Sequence, residues 1–284
     1  MARPLRIEYP GALYHITSRG NARQDIFKIK KDFTDFLVIL KENIERYNWQ
    51  CYAYCLMSNH YHLLIKTLDP NLSQGMRQLN GVYTQKYNYN HKTVGHLFQG
   101  RYKAILVDEE KYFYELVRYV ALNPVRAKMV KRPENYHWSS HREMLIDDED
   151  NVTERNHILK KFDGLEEYKK YIYLGVGDSD VWEDLKGGIV LGSISFAEKI
   201  RDYIKKERKE SISINKKERY VGRQSLDKIF REKDITKEKR NELIYDAYKN
   251  SGYTLSEIAI KNGLHVSVVS RIVKKFIDNA KNKT

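Results

Sequence analysis

The sequence predicts an α+β protein: a ferredoxin-like or RRM-like antiparallel sheet with helices on one face, followed by a mostly α-helical C-terminal domain with a helix-turn-helix. Segments with the patterns of strands and helices follow one another in the order βαββαβα over the first half of the chain. The last third has helical periodicity, and all five prolines lie within the first 133 residues. At 284 residues the chain is long enough for one large domain or two small ones.

The first half has four predicted strands and three predicted helices. The strands are 13–18, 49–57, 60–67 and 102–107, and the helices are 32–47, 73–89 and a third that follows the last strand. Ser58 and Asn59 interrupt an apolar run as a turn would, so the second and third strands should pair. Ser73 is the predicted N-cap of the second helix. This order is that of an open antiparallel sheet.

The third helix carries two of the candidate functional residues. Its apolar positions recur at helical spacing and are Phe113, Leu116, Val117, Val120 and Ala121. The helix should end near Asn123, because Pro124 disfavours the α conformation in the residue before it. Tyr119 and Asn123 are four residues apart and therefore share a face of this helix.

His60 and His62 lie in the third strand, where alternation with period two puts both on one face. Two imidazoles on one face can hold a divalent metal ion, and the carbonyl oxygen of Asn123 suits magnesium or manganese as a third ligand. With Tyr119 beside it, this set has the composition of a metal site with a nucleophile. The alternatives are two ordinary strand histidines and a tyrosine that simply packs under the sheet.

The chain has 22 tyrosines, so other phenols compete with Tyr119 for the role of nucleophile. Tyr112 lies seven residues earlier, near the same face of the helix, whereas Tyr114 points elsewhere. The four-residue spacing to Asn123 favours Tyr119.

The charges are unevenly distributed along the chain. It carries 51 Lys and Arg against 38 Asp and Glu, a net charge of +13. Residues 1–146 carry a net +9, residues 147–198 a net −7, and residues 199–284 a net +11. Basic segments favour phosphate backbones, so we predict two DNA-binding domains joined by an acidic connector, which begins with the acidic run 147–150. Net charge alone fits any soluble charged protein.

Basic, amide and aromatic side chains near the predicted site are of the types that bind single-stranded DNA, where bases stack and phosphates pair with cations. They lie after the first strand and at the start of the last one, and are Arg19, Asn21, Arg23, Arg101, Tyr102 and Lys103. The simpler interpretation of each of these residues is that it is a solvated surface residue.

The C-terminal block has the pattern of a helix-turn-helix in residues 253–276. Thr254 and Glu257 have the spacing of a capping box, and Gly263 is suited to the turn. The second helix would then enter the major groove of duplex DNA. Its contacts would come from Ser267, Ser270, Arg271 and Lys274. An ordinary helical hairpin is the alternative.

Four motifs in this order resemble the REP-associated tyrosine transposases, which are single-tyrosine members of the HUH nucleases. They are Tyr14-His-Ile-Thr-Ser-Arg-Gly-Asn21, Met57-Ser-Asn-His-Tyr-His-Leu-Leu-Ile65, Gly95-His-Leu-Phe-Gln-Gly-Arg-Tyr-Lys103 and Leu116-Val-Arg-Tyr-Val-Ala-Leu-Asn-Pro-Val-Arg-Ala127. The resemblance spans residues 1–142, and Tyr61 stands in the HUH triplet where a bulky hydrophobe is usual. The C-terminal block has a weaker resemblance to the DNA-binding domain of the bacterial replication initiator.

The resemblance implies a catalytic mechanism and a set of partners. Tyr119 would be the nucleophile and would form a covalent 5′-phosphotyrosine with single-stranded or hairpin DNA. His60, His62 and Asn123 would bind the metal ion, Mg²⁺ or Mn²⁺. The C-terminal domain would bind duplex DNA. Relatives of this type include monomers and dimers, so a monomer or a homodimer is expected.

The chain has no signal peptide, membrane-length apolar run or zinc-like cysteine cluster, and it is predicted to be cytoplasmic and not bound to a membrane. Cys51 and Cys55 lie four residues apart on one predicted strand, too far apart for a disulfide. Two other functions stay open: a non-catalytic, domesticated DNA-binding regulator that uses the helix-turn-helix, and an RNA-binding protein with an RRM-like sheet.

Overall fold

The computed structural model describes residues 7–146, 151–175, 181–207, 225–231, 235–249 and 251–281. The described residues divide into two compact units, one built from 7–185 together with 190–193, the other from 186–189 and from 194 onward. The acidic run 147–150, expected at the start of the connector, lies outside the described residues.

The first unit contains the predicted βαββαβα order and continues beyond it. Its elements are β1 (Ala12–Arg19), α1 (Lys30–Tyr47), β2 (Trp49–Met57), β3 (His60–Thr67), α2 (Leu72–His91), β4 (Lys103–Val107), α3 (Glu109–Arg126), α4 (Ser140–Leu145), α5 (Arg155–Lys161), α6 (Leu165–Leu174), β5 (Leu185–Lys186) and β6 (Val190–Leu191). Within the described residues, six strands form one sheet in the order β2-β3-β1-β4-β6-β5. The pairs β1–β3, β1–β4 and β2–β3 are antiparallel, and β4–β6 is parallel. The α+β fold class is confirmed.

The register of β1 and β3 fixes which side chains share a face of the sheet. Thr17 pairs with His62, and Arg19 pairs with His60. Directly paired residues point to the same side, and so does His15, two residues before Thr17. We call this side of the sheet, which carries His15, His60 and His62, the histidine face.

Helices cover both faces of the sheet. On the side opposite the histidine face, Tyr61 packs against Phe36 of α1 with ring centroids 4.9 Å apart, and it donates a 2.6 Å hydrogen bond to Asn80 of α2. On the histidine face, Leu116 of α3 shares a core with Leu13 of β1. The expectation of helices on one face therefore holds for α1 and α2, whereas α3 lies on the other. The strands require both covers, because eight of the nine residues of β2 are buried.

A β-bulge in β2 separates the two cysteines. The pairing of β2 with β3 shifts just after Cys51, which pairs with Ile65, whereas Cys55 pairs with His62. A bulge moves the following side chains to the other side of the strand, so Cys55 points to the histidine face and Cys51 points away from it. Both thiols are free and buried.

Helix α3 does not end near Asn123 as predicted but continues to Arg126, with Pro124 inside it. Proline removes only one backbone hydrogen bond when it lies in the last turn. That turn is closed by the N–H of Ala127, which donates to the carbonyl of Asn123 at 2.9 Å. Leu122 and Pro124 are both buried, so packing of the last turn outweighs the local preference of the residue before proline.

The prediction that Ser73 caps α2 is wrong, because the helix begins at Leu72 with Asn71 as its N-cap. The side chain of Asn71 is engaged instead by the indole N–H of Trp49, which donates to it at 2.7 Å. The carboxylate of Glu8 accepts the backbone N–H of Ser73 at 3.0 Å. The carboxylate of a residue distant in sequence thus accepts a hydrogen bond from an N–H group that a local N-cap side chain would otherwise bind.

From residue 194 onward, the second unit is helical where the structure describes it. Its helices are α7 (Ile194–Glu207), α8 (Leu226–Ile229), α9 (Lys237–Lys249), α10 (Leu255–Asn262) and α11 (Val266–Lys281). The predicted capping box of Thr254 and Glu257 is present, and Gly263 ends α10 in the left-handed conformation with φ 61°. The core contains the side chains of Ile244, Ala247, Tyr253, Ile258, Ala259, Val269 and Val273. In the parts of the chain that the structure describes, no helix has the length and apolar content needed to cross a bilayer.

Candidate active site

Strands β1 and β3 bring three histidines together on the histidine face. The imidazole rings of His60 and His62 have centroids 5.1 Å apart, as period-two alternation along β3 predicts. The ring of His15, on β1, stacks against that of His62 at a centroid distance of 5.2 Å. Two of these residues were predicted site residues, and His15 was not.

Each predicted histidine ligand has its Nδ1 atom engaged by a protein partner. Nδ1 of His60 lies 2.7 Å from Oδ1 of Asn59. Nδ1 of His62 lies 3.0 Å from Nε2 of His15. Metal-binding histidines in proteins usually pair one ring nitrogen with a polar group and use the other as the ligand. Nε2 is therefore the atom of each ring that suits a metal ion.

Burial keeps these imidazoles neutral. Desolvation lowers the pKa of His15 from 6.5 to about 3. Desolvation, and then the proximity of His15 and His60, lowers the pKa of His62 well below 6.5. The pKa of His60 is also lowered, first by burial and then by the positive charge of Arg19. A neutral imidazole is the form that binds metal ions, so burial favours the ligand form at neutral pH.

Helix α3 places Tyr119 against the same histidines. The phenol ring lies 5.8 Å from the ring of His15 and 5.8 Å from the ring of His62, edge to face in both cases. The guanidinium of Arg126 stacks 5.0 Å from the centroid of the Tyr119 ring and donates a 3.2 Å hydrogen bond to the Tyr119 carbonyl.

Asn123 lies one turn after Tyr119 on α3, as the spacing predicts. Its side-chain Nδ2 donates a 2.9 Å hydrogen bond to the carbonyl of Tyr119. Because the amide nitrogen is used in this bond, Oδ1 is the atom of Asn123 that suits a hard cation.

The competing tyrosines of α3 have their hydroxyl groups engaged away from the histidines. Tyr112 donates to the carboxylate of Asp184 at 2.5 Å. Tyr114 donates to the carbonyl of Lys161 at 2.9 Å. Of these three phenols on α3, Tyr119 is the one whose ring contacts the histidines.

Trp182 forms a further wall of the site and was missed by the sequence. Its indole lies 5.1 Å from the ring of His15 and 5.1 Å from the ring of Tyr119. Asp184, two residues later, accepts hydrogen bonds from the Tyr112 hydroxyl and from the Lys111 ammonium, the latter at 2.6 Å. These bonds hold the segment of Trp182 against α3. No local pattern in the acidic segment marks this tryptophan.

The predicted DNA contacts of the first unit differ in exposure. Arg19 is exposed and donates to Oε1 of Gln99 at 3.0 and 2.7 Å. Lys103 pairs with Thr17 and therefore lies on the histidine face, where it is exposed. Tyr102 points to the opposite face and is only 8% exposed, so its ring offers little surface for stacking.

Two of the three remaining predicted contacts, Asn21 and Arg101, line a cavity beside the end of β1. Asn21, Arg23 and Arg101 are exposed, and the first two lie in a short 3₁₀ turn. The cavity has a volume of about 460 Å³. Its lining residues lie on this turn, on α2 and in the loop before β4, and include Asn21, Asn80, Thr84, His96, Phe98 and Arg101.

The predicted contacts of the second unit share the exposed side of α11. Val269 and Val273 are buried in the core of the unit. The four polar residues at helical spacing on the other side are exposed, and are Ser267, Ser270, Arg271 and Lys274.

Comparison with known proteins finds similarity in the first part of the chain. Residues 9–123 match the family model described as transposase IS200 like. No curated protein matches. A solved structure of the REP-associated tyrosine transposase bound to a REP hairpin aligns with a TM-score of 0.44 and 16% sequence identity, covering 51% of this chain and 86% of that one. The segment that matches the family model contains all three histidines of the histidine face together with Tyr119.

Proposed function

We propose that this chain nicks single-stranded DNA and transfers the strand through a covalent 5′-phosphotyrosine at Tyr119. The observation that carries the proposal is the position of the Tyr119 ring, 5.8 Å from the ring of His62, within the segment that matches the IS200-like transposase model. A nucleophile beside metal-binding side chains is the arrangement that phosphoryl transfer requires.

The residues present fit a magnesium or manganese ion. Nε2 of His60 and Nε2 of His62 are the candidate nitrogen ligands, and Oδ1 of Asn123 is the candidate oxygen ligand. Among the described residues no group of three or more His, Cys, Asp or Glu side chains is arranged to hold an ion, so the set depends on this asparagine. When bound, the ion would polarise the scissile phosphate as a Lewis acid.

The phenol oxygen of Tyr119 would attack the phosphorus of the scissile phosphodiester. The bond from phosphorus to the 3′ oxygen breaks, the phenol proton is released to solvent, the 3′ oxygen takes up a proton from solvent, and the 5′ phosphate stays on the tyrosine. Attack by a second 3′-OH reverses these bond changes and joins two strands without an external energy source. Arg126, which stacks on the ring and donates to the Tyr119 carbonyl, would hold the nucleophile in place during attack.

Single-stranded or hairpin DNA is the proposed substrate of the first unit. The exposed cations Arg19, Arg23, Arg101 and Lys103 would contact its phosphates. The cavity beside Asn21 has an aromatic floor in Phe98 and is large enough for a nucleobase. Because Tyr102 is buried, we assign it a packing role beneath these DNA contacts and not a contact with a base.

The second unit is the proposed duplex-binding domain. In this proposal residues 1–146 form the nuclease domain and residues 199–284 locate a duplex site next to the single strand to be cut. The acidic residues 147–198 connect the two, and part of this connector packs into the first unit, where Trp182 lies against the site. Helix α11 follows α10 after the turn at Gly263, as in a helix-turn-helix. Its exposed Arg271 and Lys274 would contact phosphates, and Ser267 and Ser270 would contact phosphates or bases.

The test is incubation with hairpin DNA from beside the gene, labelled at either end, with Mg²⁺ or Mn²⁺. We expect a metal-dependent adduct that carries the strand on the 3′ side of the nick, through its 5′ phosphate. Tyr119→Phe should give none. Binding without any adduct, repeated over several flanking sequences, would contradict the proposal. It would favour the non-catalytic regulator, for which the exposed polar side of α11 is the supporting observation.

A further inference from the structure

Each candidate metal-binding imidazole is hydrogen-bonded through Nδ1 to a side chain that lies outside the proposed ligand set. For His60 the partner is Asn59, in the turn between β2 and β3, at 2.7 Å. For His62 the partner is His15 of β1, at 3.0 Å. Which ring nitrogen of a histidine carries the hydrogen depends on the bond that the other nitrogen makes.

The orientation of Asn59 settles this question for His60. Nδ2 of Asn59 donates to the carbonyl of Arg23 at 3.3 Å, so it is Oδ1 that faces the imidazole. A carboxamide oxygen only accepts hydrogen bonds. Nδ1 of His60 must therefore carry the hydrogen, and Nε2 is left with its lone pair.

The bond between His15 and His62 allows two arrangements. If His15 donates, Nε2 of His62 carries the hydrogen and cannot bind a metal ion. If His62 donates from Nδ1, its Nε2 has a lone pair and the hydrogen of His15 lies on Nδ1. That Nδ1 atom is buried and has no hydrogen-bond partner among the described residues. The ring of His15 is held in place by Trp182 at 5.1 Å and by Tyr119 at 5.8 Å.

We propose that His15 and Asn59 are positioning residues that hold a hydrogen on Nδ1 of His62 and of His60, so that both Nε2 lone pairs are available to a divalent cation. This inference rests on the proposed function. Residues in this position typically change metal affinity by about 10–100-fold when they are mutated.

The experiment is a calorimetric titration of the full-length protein, without DNA, with Mn²⁺. His15→Leu removes the acceptor while keeping an apolar side chain of similar size, and should weaken Mn²⁺ binding by about 10–100-fold. His15→Gln puts an oxygen acceptor near the position of Nε2 and should restore most of the affinity. Asn59→Ala should weaken binding in the same way, and Asn59→Asp, which keeps the oxygen, should not.

A matched control is available in the same unit. His141 of α4 is also buried, and its Nδ1 makes one hydrogen bond, 3.0 Å from the hydroxyl of Tyr168. His141→Leu should therefore disturb packing as much as His15→Leu does, while leaving the Mn²⁺ affinity unchanged. Equal weakening by both variants would show general loosening and would overturn the inference.

The remaining outcomes separate this inference from the proposed function. If the wild-type protein binds no Mn²⁺, or binds it equally well after His62→Ala, the proposed metal site itself is wrong. If His62→Ala abolishes binding while His15→Leu and Asn59→Ala bind as tightly as wild type, only the positioning role is wrong. Should His15→Leu fail to fold, Asn59→Ala carries the test, since Asn59 lies in a partly exposed turn.

Discussion

The histidine face of the first unit and the exposed side of α11 in the second unit use polar side chains in opposite ways. On the histidine face, His15 and His62 are buried, and each is fixed by a hydrogen bond and by ring packing. On α11, Arg271 and Lys274 are exposed. Chemistry at a phosphate needs desolvated, oriented groups, whereas attraction to a phosphate backbone needs only accessible charge.

The comparison implies that changes in the two regions should affect different measured quantities. Substitutions on the histidine face should alter reaction rate and metal affinity, because they displace oriented groups. Substitutions on α11 should alter DNA affinity and its salt dependence, with little effect on the rate of the chemical step.

The largest effect is expected for Tyr119→Phe, which removes the attacking oxygen. Adduct formation on labelled hairpin DNA should fall by at least about 10³-fold on denaturing gels, while DNA binding is retained. Tyr112→Phe is the control, because its hydroxyl is engaged by Asp184. An adduct that persists in Tyr119→Phe and disappears in Tyr112→Phe would show that Tyr112, and not Tyr119, is the nucleophile.

A smaller effect on rate is expected for Trp182→Ala. Trp182 contacts the rings of both His15 and Tyr119, so its loss frees the nucleophile to move. We expect adduct formation to slow by about 10–100-fold at saturating DNA. Trp182→Phe should recover most of the rate. The neighbouring exposed Glu183→Ala should react as wild type, and a rate loss there as large as in Trp182→Ala would contradict a specific role for the indole.

Acid should destabilise the first unit through its buried histidines. Burial lowers the pKa of His15 to about 3 and that of His141 to about 4, from 6.5. As the pH falls, these histidines are protonated in the unfolded chain before they are protonated in the folded protein. Each histidine's contribution to the free energy of unfolding is therefore complete above pH 6.5, and it is lost as the pH falls towards the pKa of the folded state. Between pH 6.5 and 5 the expected loss is about 2 kcal/mol for each histidine.

Urea unfolding followed by tryptophan fluorescence measures this loss in the first unit alone, because Trp49, Trp138 and Trp182 all belong to it. His141→Gln should be less sensitive to acid than wild type by about the contribution of one histidine. Identical pH dependence in wild type and variant would show that this imidazole is not desolvated in the folded protein.

The smallest effects are expected on α11. Arg271→Ala and Lys274→Ala should each weaken duplex binding a few-fold, roughly independent of sequence, and should lower the slope of log K against log salt concentration by about 1. Adduct formation on a short single strand should not change. Lys239→Ala, exposed on α9 and paired with Glu242, is the control. An unchanged salt slope in both α11 variants would place the duplex contacts elsewhere.

Local patterns in the sequence determined many elements of this protein. The bounds of β2 and β3 were predicted as they are found, because their apolar patterns are bounded by clear turn residues. The capping box of Thr254 and Glu257 was also predicted, because its two partners are only three residues apart. His60 and His62 share a face because they lie on one strand.

Only the tertiary structure decided which distant residues lie beside His62 and Tyr119. His15 reaches His62 because β1 pairs with β3 in one particular register, and a shift by one residue would turn it to the opposite face. Trp182 reaches Tyr119 because Asp184 binds side chains of α3 more than 70 residues earlier in the chain. Helix α3 passes Pro124 because its last turn is buried. Strand register and long-range packing depend on the whole fold, so no local spacing encodes them.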